Sequence, residues 1–178
     1  SWRALVVGFF AGTLAILVPS AVLLAGGWLR TAPEPSTMSW GESARAALML
    51  LMPAALVEEL ALRGIVLSAL RDDIGAASAV AVTSVLFALL HLFNPGPTIL
   101  STAVVALAGV FLATVRLATG SLFAAWIAHL AWNFSQAAVL HSPVSGLALP
   151  TPGYRMESHG PDWLTGGEWG PEGGLAAA

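Results

Sequence analysis

Long apolar stretches separated by short polar breaks organise this chain. From Ala4 to Leu29 no charged residue occurs in 26 positions, enough to cross a hydrocarbon core of about 30 Å. That exceeds the roughly 7–15 residues of a signal-peptide core, so the stretch reads as a spanning helix, bending at Pro19. Thr31 to Gly41, with Pro33, Glu34 and Pro35, reads as an exposed loop. A second helix is predicted from Ser43 to Leu70; it is apolar up to Val57, contains Pro53, and then carries Glu58, Glu59 and Arg63. Arg71-Asp72-Asp73 reads as a polar turn between helices.

The third apolar stretch, Ile74 to Leu92, carries His91 near its end and is closed by the turn signal Asn94-Pro95-Gly96-Pro97. Thr98 to Val115 is an uncharged fourth span. Leu122 to Leu140 is a fifth, carrying His129 and Asn133. Ser142 to Ala178 holds 13 Gly or Pro among 37 residues, so a loop-like or disordered tail is expected, with Trp163 and Trp169 at the membrane interface. The periodicity is helical throughout, and no internal repeat is visible. The expectation is an all-α membrane protein, a bundle of about five transmembrane helices around a polar intramembrane cavity. Residues 1–42 form the first span and a loop, 43–141 a helical core, and 142–178 the tail.

Composition agrees. Only 10% of residues are charged and 57% are hydrophobic, against roughly 25% charged in soluble domains. A net charge of −3 points to no nucleic-acid partner. The lipid bilayer is the expected surrounding. With no Cys, disulfides, thiolate zinc sites and thiol nucleophiles are excluded. A cytoplasmic N-terminus would put Arg3, Arg71 and Arg116 inside and Arg30, Arg45 and Arg155 outside, so positive charge sets no orientation. The first residue is Ser1 rather than Met, so an upstream segment is expected to be missing.

Ionisable side chains within apolar spans cost roughly 2.5–3.5 kcal/mol each at the bilayer centre, and by default they mark function. Glu58, Glu59, Arg63, His91 and His129 are such residues. Glu59 and Arg63, four apart, share a helix face, while Glu58 lies about 100° around the helix. One carboxylate is thus free to pair with Arg63 while the other points elsewhere. His129 and Asn133 are also four apart, as are Phe87 and His91. At about 1.5 Å per residue, Glu58, His91, His129 and Asn133 fall within roughly 12 Å of depth although they come from three helices. They are placed to line one cavity.

Glu58-Glu59-Leu60-Ala61-Leu62-Arg63 forms EExxxR, Phe87 to His91 forms FxxxH, and His129 to Asn133 forms HxxxN. Three such motifs in order, each on a membrane helix, resemble the CPBP family of CAAX proteases and bacteriocin-processing enzymes, also called Abi. The resemblance covers Ser43 to Leu140. Leu62 departs from the Phe that many members carry before the Arg. The resemblance implies an intramembrane endopeptidase acting on membrane-associated or C-terminal peptide substrates. Glu58 would activate water, helped by His91; His129 and Asn133 would hold the oxyanion; Glu59 and Arg63 would form a supporting pair. Family members are often metalloproteases, and Glu58, His91 and His129 would supply a His₂Glu set for a divalent metal such as zinc. HExxH is absent, and glutamate-activated water without metal is equally compatible.

Eukaryotic members of that family cut prenylated C-terminal CAAX peptides, whereas bacterial ones act on varied targets. The absence of Lys and the compact length lean toward a multi-pass protein of a bacterial cytoplasmic membrane with no prenylated substrate. Two rival functions remain at this stage. One is a transporter or proton relay using the buried Glu and His; the other is a non-catalytic, immunity-type membrane scaffold. Transporters tend to show internal repeats, which are lacking here.

Overall fold

The apolar stretches fold into helical rods in the computed structural model, which describes residues 1–178. Helix α1 (Trp2–Ala25) continues through Pro19 and ends at Gly26 and Gly27. Helix α2 (Trp40–Glu59) begins at a capping box in which Ser39 and Glu42 satisfy each other's backbone N–H groups. It passes into a π-helical segment (Leu60–Val66) and then α3 (Leu67–Ile74) without a break. The turn expected at Arg71-Asp72-Asp73 lies instead at Gly75, whose φ of +81° suits glycine. Helix α4 (Ala76–Leu90) ends in a short 3₁₀ turn at His91–Phe93. Helices α5 (Ile99–Thr119) and α6 (Leu122–Phe134) follow, the latter extended by a second π-helical turn (Ser135–Val139).

Five rods thus correspond to the five apolar stretches. Three of them, Trp2–Ala25, Ala76–Phe93 and Ile99–Thr119, are long and apolar enough to cross a membrane by themselves. The other two carry the EExxxR and HxxxN residues and are the ones interrupted by π-helical turns, a feature frequent at functional sites.

The expectation of helix alone needs correction. Strands β1 (Leu29–Pro33) and β2 (Tyr154–Ser158) pair antiparallel, with Leu29 opposite Ser158 and Pro33 opposite Tyr154. Their partners are far apart in the chain, so local periodicity cannot reveal the pairing. The tail expected to be disordered is folded too. After β2 comes a one-turn helix α7 (Asp162–Thr165) and a series of 3₁₀ turns. Its glycines make sharp turns and close contacts rather than slack: Gly170 has φ +103°, and a Cβ there would strike the carbonyl oxygen of Pro143. Trp169, expected at the interface, is buried in the main core cluster, whereas Trp163 is exposed.

The first span also does more than the sequence suggested. Gly8 and Gly12 face α6 so closely that a Cβ on either would collide with the carbonyl oxygen of Ala124 or Ala128. This is the small-residue spacing by which helices approach within membranes. Helix α1 therefore backs the helix that carries His129.

Replacing Gly12 by leucine is expected to separate α1 from α6 and lower the unfolding temperature in detergent sharply. Gly41→Ala, where nothing lies within 4 Å of the added carbon, should leave it unchanged or slightly raised. Thermal melts of the two variants check this.

Candidate active site

Arg63 is a fully buried cation. It lies in the π-helical turn, which directs its guanidinium inward among four rods. Nη1 donates to Glu59 Oε1 at 3.0 Å, and Nη2 donates to the carbonyl of Gly109 on α5 at 3.0 Å. The guanidinium carbon stands 4.5 Å from the ring centre of Phe87 on α4, a cation–π contact. Gly109 sits where α5 crosses α4 so closely that a Cβ would press on Ser84. A buried charge needs such partners, since desolvation is its main cost.

Glu59 is equally buried and carries the network to α6. The same Oε1 that meets Arg63 accepts from His129 Nδ1 at 3.0 Å. A carboxylate paired with guanidinium only accepts hydrogen bonds, so Nδ1 of His129 holds a proton. The other ring nitrogen, Nε2, faces Glu58 Oε2 at 4.0 Å. The two adjacent glutamates thus have different surroundings: Glu59 is fully buried and locked through Oε1 to Arg63, whereas Glu58 is partly exposed; each keeps a buried Oε2 with no hydrogen-bond partner.

His91 is held in a similar way. Its Nδ1 lies 2.8 Å from the carbonyl of Phe87; a carbonyl only accepts, so Nδ1–H donates and Nε2 keeps its lone pair. Phe87 packs against both imidazoles, at 4.5 Å from His91 and 5.6 Å from His129 between ring centres. His91, His129 and Asn133 line one small cavity of about 20 Å³, room for roughly one water molecule. Glu58 is outside that lining and reaches it only through His129. No three His, Asp or Glu side chains converge at metal-ligating distances. The proposed Glu58, His91 and His129 set therefore does not fit a metal in this geometry.

Sequence reasoning missed one wall of the cavity. Ser145 and Glu172, both from the tail, complete it. Glu172 is 7% exposed; it accepts from the indole N–H of Trp132 at 2.7 Å and from both the N–H and the hydroxyl of Ser145. A lone glutamate in a Gly-rich segment gives no local signal of such burial.

Residues 40–135 match the family model described as type II CAAX prenyl endopeptidase Rce1-like. The chain belongs to this family. The match spans just over half of the chain and contains all three motifs, Glu58 to Arg63, Phe87 to His91 and His129 to Asn133. Rce1-like membership, together with the three apolar helices, makes this an integral membrane protein of an endopeptidase family. No curated protein and no solved structure matches the chain. Helix α1 and the Glu172 segment lie outside the Rce1-like match.

Arg63→Met should destabilise the protein by roughly 3–5 kcal/mol, because it strands Glu59 as a buried, uncompensated charge. The double variant Arg63→Met, Glu59→Leu should lose less than the two single losses added together. Unfolding of the four proteins in one detergent measures the difference. Glu172→Ala leaves three donors unpaired, with a cost of at least about 1–3 kcal/mol, and the same melts report it.

Proposed function

We propose that this chain is an intramembrane endopeptidase that hydrolyses peptide bonds of membrane-associated or C-terminal peptide segments, using water activated by Glu58. The observation that carries the reading is the Glu58–His129 arrangement. A carboxylate oxygen without a hydrogen-bond partner stands 4.0 Å from an imidazole nitrogen whose ring is fixed from behind by Glu59 and Arg63. One water is able to bridge a gap of that size.

Glu58 takes a proton from the water as its oxygen attacks the scissile carbonyl carbon. The carbonyl oxygen becomes an oxyanion, which the Asn133 amide and His129 Nε2–H stabilise. Because His129 already donates Nδ1–H to Glu59, it donates from Nε2 only as the imidazolium. The C–N bond then breaks, and Glu58 returns its proton to the amine leaving group. The free Nε2 lone pair of His91 helps to orient the water. No step is routed through a metal, since no three His, Asp or Glu side chains converge at ligating distances.

The scarcity of charge and the absence of Lys support placement in a bacterial cytoplasmic membrane, with a peptide that need not be prenylated. The transporter and scaffold readings gain no observation of their own.

Purified Glu58→Ala, His91→Ala and His129→Ala proteins should each remain folded and lose cleavage of a validated peptide substrate. Asn133→Ala should lose about 10²–10³-fold in kcat. Full activity in all three alanine variants would sink the assigned site. Chelator treatment should leave wild-type cleavage unchanged; restoration by added zinc after a loss would assign a metal to it.

A further inference from the structure

Beside the small cavity lies a second and larger one, a groove of about 560 Å³ built by the tail and β2. Its volume falls within the roughly 300–1,000 Å³ of ordinary ligand sites. The two cavities share a wall. Ser145 and Glu172 line the small one, while their chain neighbours Gly146 and Pro171 line the groove. At that wall a single stretch of chain separates the groove from the cavity lined by His91, His129 and Asn133.

The shape favours an extended chain. Arg155, Met156, Glu157 and Ser158 all line the groove, although successive residues of a strand point to opposite faces. Four in a row border one space only when that space runs along the edge of the strand. β1 is the only strand paired with β2; on the other edge the Met156 N–H already donates to the His141 carbonyl and the Tyr154 N–H to that of Pro152, so a segment in the groove runs beside that edge and meets its side chains.

Charge narrows the ligand. Glu34, Glu157, Asp162 and Glu168 bring four carboxylates to the groove, and Arg155 brings the one guanidinium. Arg155 is already engaged, at 3.1 Å from Glu34 and 2.7 Å from Glu157, whereas Asp162 and Glu168 form no ion pair. An independent observation points the same way. His141 lines the groove and is only 1% exposed, yet neither ring nitrogen has a hydrogen-bond partner. Its backbone is held at φ +50°, unusual for a residue other than glycine. Burial lowers its pKa, only partly offset by the backbone of Ala137. A buried imidazole without partners is costly, and a peptide backbone, which carries both donor and acceptor, satisfies it.

We propose that this groove is a docking site for an extended peptide segment bearing basic side chains, which lies along β2 with its cations toward Asp162 and Glu168 and its backbone bonded to His141. The peptide nature of the ligand rests on the endopeptidase reading; the groove then selects substrates by a basic segment flanking the cleaved bond.

Fluorescence anisotropy on the full-length protein in neutral detergent tests this with two short labelled peptides, one of alternating alanine and lysine and one of alternating alanine and glutamate. The lysine peptide should bind at least about tenfold more tightly, the difference shrinking as salt is raised. Asp162→Asn combined with Glu168→Gln should remove that preference while leaving cleavage of an uncharged reporter peptide intact. His141→Phe should weaken the lysine peptide several-fold with no loss of thermal stability. Equal binding of the two peptides, or a preference that survives the Asp162→Asn, Glu168→Gln change, overturns the proposal. The Glu58→Ala protein separates this outcome from the fate of the catalytic reading, because it should bind the lysine peptide as wild type does. Cleavage intact with no lysine-peptide preference would overturn the groove alone. Binding intact in a wild-type protein that cleaves nothing would leave the groove standing and remove the hydrolase.

Discussion

A buried ion pair between Arg63 and Glu59 holds the rest of this molecule in register. Each partner is wholly removed from solvent, so neither is tolerable alone. Arg63 reaches the Gly109 carbonyl on α5 and the Phe87 ring on α4, while Glu59 reaches His129 on α6. One pair thereby ties four rods together at one depth. Its orientation of His129 is what sets Nε2 opposite Glu58, so the stability of the bundle and the geometry of the chemistry have one source. The neighbouring glutamates divide the work: Glu59 is fully buried and bound through Oε1 to Arg63 and His129, whereas Glu58 is partly exposed and makes no such bond.

Packing around that pair depends on small residues. Gly109 lets α5 pass α4, and Gly8 with Gly12 lets α1 lie against α6. Side chains at these places would hold the rods apart and move the histidines by more than a hydrogen bond tolerates. The π-helical turn after Glu59 belongs to the same solution, because it re-aims Arg63 within a helix that otherwise continues unbroken from Trp40 to Ile74.

What the sequence made legible was the part governed by local period and by cost in lipid. Charged residues inside apolar spans stand out, and their four-residue spacings foretold which of them share a face. Glu59 with Arg63, and His129 with Asn133, are read in that way. The remainder depends on contacts between distant segments. The pairing of β1 with β2, the burial of Trp169 and the arrival of Glu172 beside Trp132 leave no local trace. Glycine and proline in the tail suggested disorder, yet glycine also permits the sharp turns and close contacts seen at Gly170. The Gly8–Gly12 spacing was in plain view and would have placed α1 against a partner helix.

Whether the buried pair sets His129 is read from which of its ring nitrogens carries the proton. Nitrogen NMR of protein labelled with ¹⁵N-histidine, assigned by comparison with a His129→Gln sample, reports which ring nitrogen carries a proton. Nδ1 should be protonated in the wild-type protein, with a signal that shifts when Glu59 is replaced by glutamine. A bare Nδ1, or a His129 signal indifferent to Glu59, would contradict the claim that the buried pair sets the histidine.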